Sequence, residues 1–173
     1  MKRKRIAQQL GGGDRRSIGK SDAVAAQVQR NRRRCKELIR CLWSDDPIVR
    51  MRAADAVEKV SGKYPEVLQP FKVELLGLLS EATQQELRWH LAQMIPRLEL
   101  SERERHRAAE ALRNYLNDRS SIVKTFAIQG LADLARDDAS LRPEVRALVE
   151  THMRSGTAAM RARCRKLMKQ LPP

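Results

Sequence analysis

Hydrophobic positions recur every three or four residues through most of this chain, which is the spacing that places apolar side chains on one face of a helix. Polar and turn-forming residues interrupt the pattern at regular intervals, so the helices come in pairs. The pattern therefore predicts an all-α protein without strands. The predicted helical segments are 22–43, 47–60, 65–79, 83–98, 102–116, 121–135, 141–153 and 158–171.

Residues that cap helices mark several of these boundaries. Asp46 precedes Pro47, which suits the first position of a helix because its missing N–H costs nothing there. Ser101 with Glu104 fits a capping box. We therefore expect helices to begin after four polar residues, namely Asp46, Ser101, Ser120 and Thr157.

A basic-apolar segment recurs four times, at intervals of 36–38 residues. It begins at Val49, Leu87, Val123 and Met160. A period of this length with one helix pair per unit is typical of an α-solenoid. Residues 22–173 are therefore predicted to form one repeat domain. Residues 1–21 are rich in charge and glycine, and they are predicted to be a flexible basic tail.

The segment from Asp45 to Val57 resembles the HEAT-repeat family, since it has an Asp-Pro turn, then Val-Arg, then small residues on the second helix. The resemblance covers residues 22–171 as four repeats and is weakest in the fourth. It implies a right-handed α-α superhelix of about four helix pairs, with a concave face that binds other macromolecules. It also implies a structural role for one basic row, whose members bond acidic side chains or carbonyls of neighbouring turns: Arg50, Arg88, Lys124 and Arg161.

The candidate binding residues project from the second helices, away from the predicted core. Trp89 and Phe126 stand out among them because interfaces favour aromatic anchors. A second interpretation of Trp89 remains open, in which its ring packs as core between stacked repeats. The expected partner-binding residues are Arg52, Asp55, Trp89, His90, Gln93, Arg97, Phe126, Gln129, Arg163 and Lys166.

The net charge of +14 is concentrated at the two ends of the chain. Residues 1–43 hold 13 Lys or Arg and 3 Asp or Glu, and residues 154–173 hold 6 basic residues and no acidic one. Two interpretations remain open: solvated charge that aids solubility, or contacts to phosphates, which are sensitive to salt. The expected phosphate contacts are Lys2, Arg3, Lys4, Arg5, Arg32, Arg33 and Arg34.

The sequence offers little chemistry for catalysis. No His, Cys or acidic residues have metal-ligand spacing, and Gly11-Gly12-Gly13 lacks the Lys-Ser/Thr of a phosphate loop. We therefore expect no metal, no cofactor and no catalytic residue. Cys35, Cys41 and Cys164 have no disulfide-framework spacing and are predicted to be reduced thiols in a cytoplasmic protein. No apolar run approaches the ~20 residues of a membrane span, so we expect no membrane partner.

These patterns favour a non-enzymatic interaction module, a scaffold or adaptor that binds a macromolecular partner, most often a protein, on its concave face. The alternative is a nucleic-acid-binding protein that grips phosphates with its basic ends. It would be related to the HEAT-like DNA-repair proteins, some of which are DNA glycosylases with an Asp and aromatic residues on the concave face. Asp55 and Asp133 lie on the predicted face, but neither is flanked by two aromatic residues, so base excision is poorly supported. The sequence predicts neither the partner's identity nor the oligomeric state.

Overall fold

The computed structural model describes residues 5–14 and 16–172. Over these residues the chain forms ten α-helices, joined by turns and short 3-10 segments, and has no strand, so the all-α prediction is confirmed. The helices are α1 (Ile6–Leu10), α2 (Ser21–Arg30), α3 (Cys35–Arg40), α4 (Pro47–Lys63), α5 (Lys72–Glu81), α6 (Gln85–Met94), α7 (Glu102–Tyr115), α8 (Ser121–Arg136), α9 (Arg142–Ser155) and α10 (Ala158–Gln170). Each described helix is too short or too polar to cross a membrane.

The chain divides into two compact units, unit 1 (Met1–Lys72) and unit 2 (Val73–Pro173). In unit 1, α1, α2 and α3 all pack against α4. In unit 2, α6, α7, α9 and α10 all pack against α8. Both central helices bury mainly alanine and β-branched or leucine side chains, and the small residues let several neighbours approach closely.

The N-terminal segment differs from the expected flexible tail. In α1, Ile6 and Leu10 are fully buried. The Ile6 N–H donates to Glu37 Oε1 at 2.7 Å, which ties α1 to α3. Charge and glycine content predict disorder here, but two apolar residues four apart form a buried helical face. Residues 1–4 lie outside the described part of the chain.

The Arg52 side chain holds the turn that follows α1. Its Nη1 donates to Leu10 O at 2.7 Å and to Gly12 O at 2.6 Å. Its Nη2 donates to Asp14 O at 2.9 Å, and its Nε donates to Ser17 O at 3.0 Å. Three glycines of this segment have positive φ angles that other residues rarely adopt, which lets the backbone turn its carbonyls toward the guanidinium: Gly12, Gly13 and Gly19.

The first predicted helix, 22–43, is broken at Asn31, whose φ of −137° and ψ of 80° are not helical. One continuous helix would place Arg30 within a turn of Arg33 and Arg34, where like charges destabilise. After the break, residues Arg32–Arg34 form a 3-10 turn that leads into α3.

The four predicted N-caps are present in the structure. Asp46 Oδ1 accepts a hydrogen bond from Ile48 N at 2.8 Å. The capping box is complete, because Ser101 Oγ accepts from Glu104 N and Ser101 N donates to Glu104 Oε2. The other two caps accept from the third residue along: Ser120 from Val123 N at 3.4 Å and Thr157 from Met160 N at 3.3 Å.

A basic residue occupies the fourth position of five helices, and four of these residues are arginines that bond a carbonyl of the preceding turn. The contacts are Arg50 to Ser44 O at 2.6 Å, Arg88 to Ala82 O at 2.6 Å, Arg105 to Leu100 O at 3.2 Å and Arg161 to Gly156 O at 2.9 Å. The fifth, Lys124, lies near Asp118 and helps to lower the pKa of that carboxyl. Arg50, Arg88 and Arg161 thus make the contacts that the family resemblance implied.

Gly130 lies where the backbone of α8 packs directly against the backbone of α6. A Cβ atom at this position would lie 2.6 Å from Ala92 O and 3.0 Å from Leu112 Cδ1. The backbone oxygen cannot rotate away as a side chain would, so α6 and α8 would have to separate to admit even a methyl group.

We expect Gly130→Ala to lower the free energy of unfolding by about 1–3 kcal/mol, because it overpacks the contact between α6 and α8. Gly77→Ala is the matched control, since Gly77 is an exposed residue of α5 with no atom within 4 Å of its added Cβ. That change should stabilise the protein by roughly 0.5–1 kcal/mol through helix propensity. Urea unfolding of both variants measures the difference, and two stabilising substitutions would contradict the packing described.

Candidate functional site

A cleft of about 360 Å³ lies in unit 2, between side chains of α6, α8 and α10 and the turn that follows α6. It brings together five of the ten predicted partner-binding residues: Gln93, Arg97, Phe126, Gln129 and Arg163. Four further residues line the cleft: Asp133, which is predicted from the sequence to face it, and Pro96, Arg136 and Asp137, which are not. Arg136 is the last residue of α8 and Asp137 is its C-cap, three and four residues after Asp133. Extending the predicted binding face by one helical turn beyond Asp133 would have included both.

Side chains along the cleft are joined in a chain of polar contacts. The Arg163 guanidinium lies over the Phe126 ring, 5.6 Å from its centroid, in a cation–π contact. Arg163 Nη1 donates to Gln129 Oε1 at 3.1 Å, and Gln129 Nε2 donates to Asp133 Oδ1 at 3.0 Å. Asp133 also forms an ion pair with Arg136. These contacts fix the rotamers of the cleft before any ligand arrives, which lowers the entropic cost of binding.

Arg52 and His90 are corrections to the predicted binding face. Arg52 is only 3% exposed because the carbonyl oxygens of four residues surround its guanidinium, namely Leu10, Gly12, Asp14 and Ser17. His90 is 9% exposed, because α6 buries side chains around more of its circumference than a helix that packs on one face only. Neither side chain is available to a partner in this conformation.

Asp55 is also occupied within unit 1. Its carboxylate accepts from the Ser21 hydroxyl and from Lys59 Nζ at 2.6 Å. Lys59 Nζ reaches Asp22 Oδ1 at 2.5 Å as well, so this network ties α2 to α4. Asp55 therefore holds two helices together, whereas Lys166 is exposed on α10.

Trp89 is half-buried, so its ring is neither a fully exposed anchor on the binding face nor a fully buried core residue. Its indole lies 5.6 Å from the His90 ring, and the two ring planes are tilted by 56°. Its carbonyl oxygen accepts from Gln93 Nε2 at 3.1 Å. Trp89 thus adjoins the cleft through Gln93, while Phe126 is the aromatic residue that lines it.

The described residues among the expected phosphate contacts form two groups. Arg32 and Arg34 each bind a glutamate, whereas Arg5 and Arg33 have no acidic partner among the described residues. Arg32 pairs with Glu66 at 3.2 Å and lies 4.6 Å over the Tyr64 ring. Arg34 has a side chain only 11% exposed and binds Glu37 at 2.7 Å, which makes it a structural residue instead. Arg5 and Arg33 are exposed. Lys2, Arg3 and Lys4 lie outside the described residues and stay predictions.

A cluster of Ser140, His106 and Asp138 in unit 2 contains the residue types of a hydrolytic triad. The Ser140 hydroxyl and the Asp138 carboxylate both contact the same ring nitrogen, His106 Nε2, at 3.1 Å. A relay requires the acid and the nucleophile on opposite nitrogens of the imidazole. The Ser140 hydroxyl also bonds Asp138 directly, and this bond is the largest cause of the lowered pKa of Asp138. The arrangement is that of a helix cap.

Arg88, a member of the basic row, forms an ion pair with Asp118. Arg88 Nη1 lies 2.6 Å from Asp118 Oδ2, and the Asp118 side chain is 9% exposed. Burial alone would raise the pKa of this carboxyl. The Ser120 N–H, the Arg88 guanidinium and the charge of Lys124 outweigh burial and hold the pKa below its ordinary value.

The described residues contain no group of three or more His, Cys, Asp or Glu side chains arranged to hold a metal ion. Cys35, Cys41 and Cys164 are buried free thiols. Burial is the main cause that raises the pKa of Cys35 and Cys41 to about 11.

Comparison of the sequence with protein-family models finds no match. Comparison with curated proteins finds no match either. The resemblance to HEAT repeats therefore stays a prediction, and the structure alone shows an all-helical protein of ten helices over the described residues.

We expect part of the stability of unit 2 to be lost as the pH falls through the lowered pKa of Asp118. The contribution is fully present above the unfolded-state value, near the ordinary 3.8, because the folded protein binds this proton more weakly. Asp118→Asn should therefore unfold more easily than the wild type at neutral pH and show a shallower loss of stability on acidification. Urea titrations at several pH values measure this, and parallel curves for the two proteins would contradict the assignment.

Proposed function

We propose that this protein is a non-enzymatic interaction module, a scaffold or adaptor, that binds a protein partner at the unit 2 cleft. The observation that carries the proposal is the pre-arranged stack of Arg163 on Phe126, with Gln129 bonded to the same arginine. Aromatic and arginine side chains are the residue types that supply most of the binding energy at protein interfaces. The amides of Gln93 and Gln129 offer donors and acceptors that suit a peptide backbone.

The charge of the cleft favours a peptide over a polyanion. Its basic residues, Arg97, Arg136 and Arg163, are nearly balanced by Asp133 and Asp137. A phosphate backbone would meet two carboxylates there, and like charges at an interface cost several kcal/mol. A segment of mixed charge with an apolar side chain to lie against Phe126 fits this lining better.

The proposal includes the HEAT-like architecture, a right-handed α-α superhelix of about four helix pairs. It is supported within unit 2, where α8 packs against both α6 and α10, the helices that contribute to the cleft. Three of the four repeat-equivalent basic positions support it too, since Arg50, Arg88 and Arg161 each bond a carbonyl of the preceding turn. A cytoplasmic location stays a prediction from the sequence.

Truncation of the stacked pair tests the proposed cleft. Arg163→Ala and Phe126→Ala should each weaken binding of the captured protein partner by about 2 kcal/mol, as anchors at interfaces do. Arg165→Ala is the matched control, because it removes the same charge from an exposed position of the same helix. Partners are captured from native extract with and without nuclease, and their affinities are then measured by calorimetry.

Thermal unfolding of each variant separates binding from folding. Retained stability with lost binding supports the cleft. Partners that disappear after nuclease treatment, or equal losses in Arg163→Ala and Arg165→Ala, would contradict a protein site at this position.

A further inference from the structure

A second cleft, of about 500 Å³, lies in unit 1 between α1, with its N-cap residue Arg5, and α3. Four basic side chains line it: Arg5, Arg33, Lys36 and Arg40. All four residues are exposed. The cleft is thus a concave surface with cations around it, far more positive than the cleft of unit 2.

These four cations have no carboxylate partner among the described residues. Glu37 is the one acidic residue of the lining, and its charge is already used. Its Oε1 accepts from Ile6 N at 2.7 Å, and its Oε2 accepts from Arg34 Nε and Nη2 at 2.9 and 2.7 Å. Because both oxygens of Glu37 are engaged in these contacts, the cleft keeps a surplus of positive charge that faces solvent.

The cations are spread over two segments of the cleft, an arrangement that suits an extended anion. Lys36 and Arg40 lie one turn apart on α3, and Arg33 precedes Lys36 by three residues, so the three share one side. Arg5 faces them from the N-terminal segment, because α1 packs against α3. A single phosphate would engage one or two of these groups, whereas a chain of phosphates engages all four.

An exposed aromatic side chain adjoins this cleft. Trp43 is 44% exposed, directly precedes Ser44 of the lining, and follows Arg40 by three residues. Trp43 thus belongs to the chain segment that forms the cleft, and exposed aromatic rings combined with a cationic groove are used to bind single strands, in which phosphates meet the cations and a base stacks on the ring. An acidic peptide or a lipid headgroup has no base to offer this ring.

We propose that the unit 1 cleft binds single-stranded nucleic acid, with Arg5, Arg33, Lys36 and Arg40 on the phosphates and Trp43 stacked on a base. This site is separate from the proposed protein-binding cleft and does not depend on it. Recognition of the strand is independent of its sequence, because the cleft offers charge and a stacking surface.

Anisotropy of a labelled oligothymidylate, titrated with the full chain, tests the site. The triple variant Arg33→Gln, Lys36→Gln, Arg40→Gln should bind at least about tenfold more weakly. It should also reduce the slope of log affinity against log salt by roughly 2, since each phosphate contact to a single strand contributes about 0.7. The matched control is Arg103→Gln, Arg119→Gln, Arg165→Gln, which removes the same charge from exposed positions of unit 2. It should leave the slope unchanged.

Trp43 distinguishes nucleic acid from other polyanions. Trp43→Leu keeps apolar bulk but loses the stacking surface, so it should weaken oligothymidylate binding about tenfold. Trp43→Phe keeps an aromatic ring and should weaken binding less than Trp43→Leu does. Unlabelled competitors include inorganic polyphosphate, polyglutamate and vesicles with anionic lipid. Effective competition by any of these at the phosphate or charge concentration of oligothymidylate overturns the proposal, as does an equal loss of affinity in the two triple variants.

Discussion

The rest of this structure depends on hydrogen bonds to carbonyl oxygens in the short turns between helices. A turn of a few residues leaves carbonyls without a helical partner, and buried or half-buried backbone groups need one. An arginine at the fourth helical position reaches back to such an oxygen in α4, α6, α7 and α10. Arg52 uses the same chemistry elsewhere, with four carbonyls of the N-terminal segment around one guanidinium. The basic positions that recur in the sequence are thus requirements of folding before they are features of binding.

The sequence predicts well what depends on near neighbours along the chain. Asp46, Ser101, Ser120 and Thr157 begin their helices as expected, because capping involves only the next two or three residues. The predicted helix 22–43 does not include the break at Asn31, although repulsion among the arginines around Asn31 favours a break there. The burial of Arg52 had no local signal, since its partners lie 35–42 residues earlier in the chain.

The two candidate sites were predictable from the sequence to different degrees. Repeat spacing brings Gln93, Phe126, Gln129 and Arg163 into one cleft, because equivalent positions of successive helices face the same way. The unit 1 cleft draws on Arg5 and Arg40, which only the docking of α1 brings together. From the sequence, a phosphate contact is expected at Arg33 but not at Lys36 or Arg40. Each unit therefore presents its own surface chemistry: a balanced, pre-bonded cleft in unit 2 and a cationic cleft beside an exposed indole in unit 1.

If both proposals hold, these two surfaces have separate ligands. Backbone amide chemical shifts of the ¹⁵N-labelled full chain, titrated with oligothymidylate, test it most directly because they report on every part of the protein at once. We expect perturbations confined to residues 5–7 and 33–44, with the amide shifts of the unit 2 cleft unchanged. Perturbations centred on Phe126, Gln129 and Arg163 would contradict it.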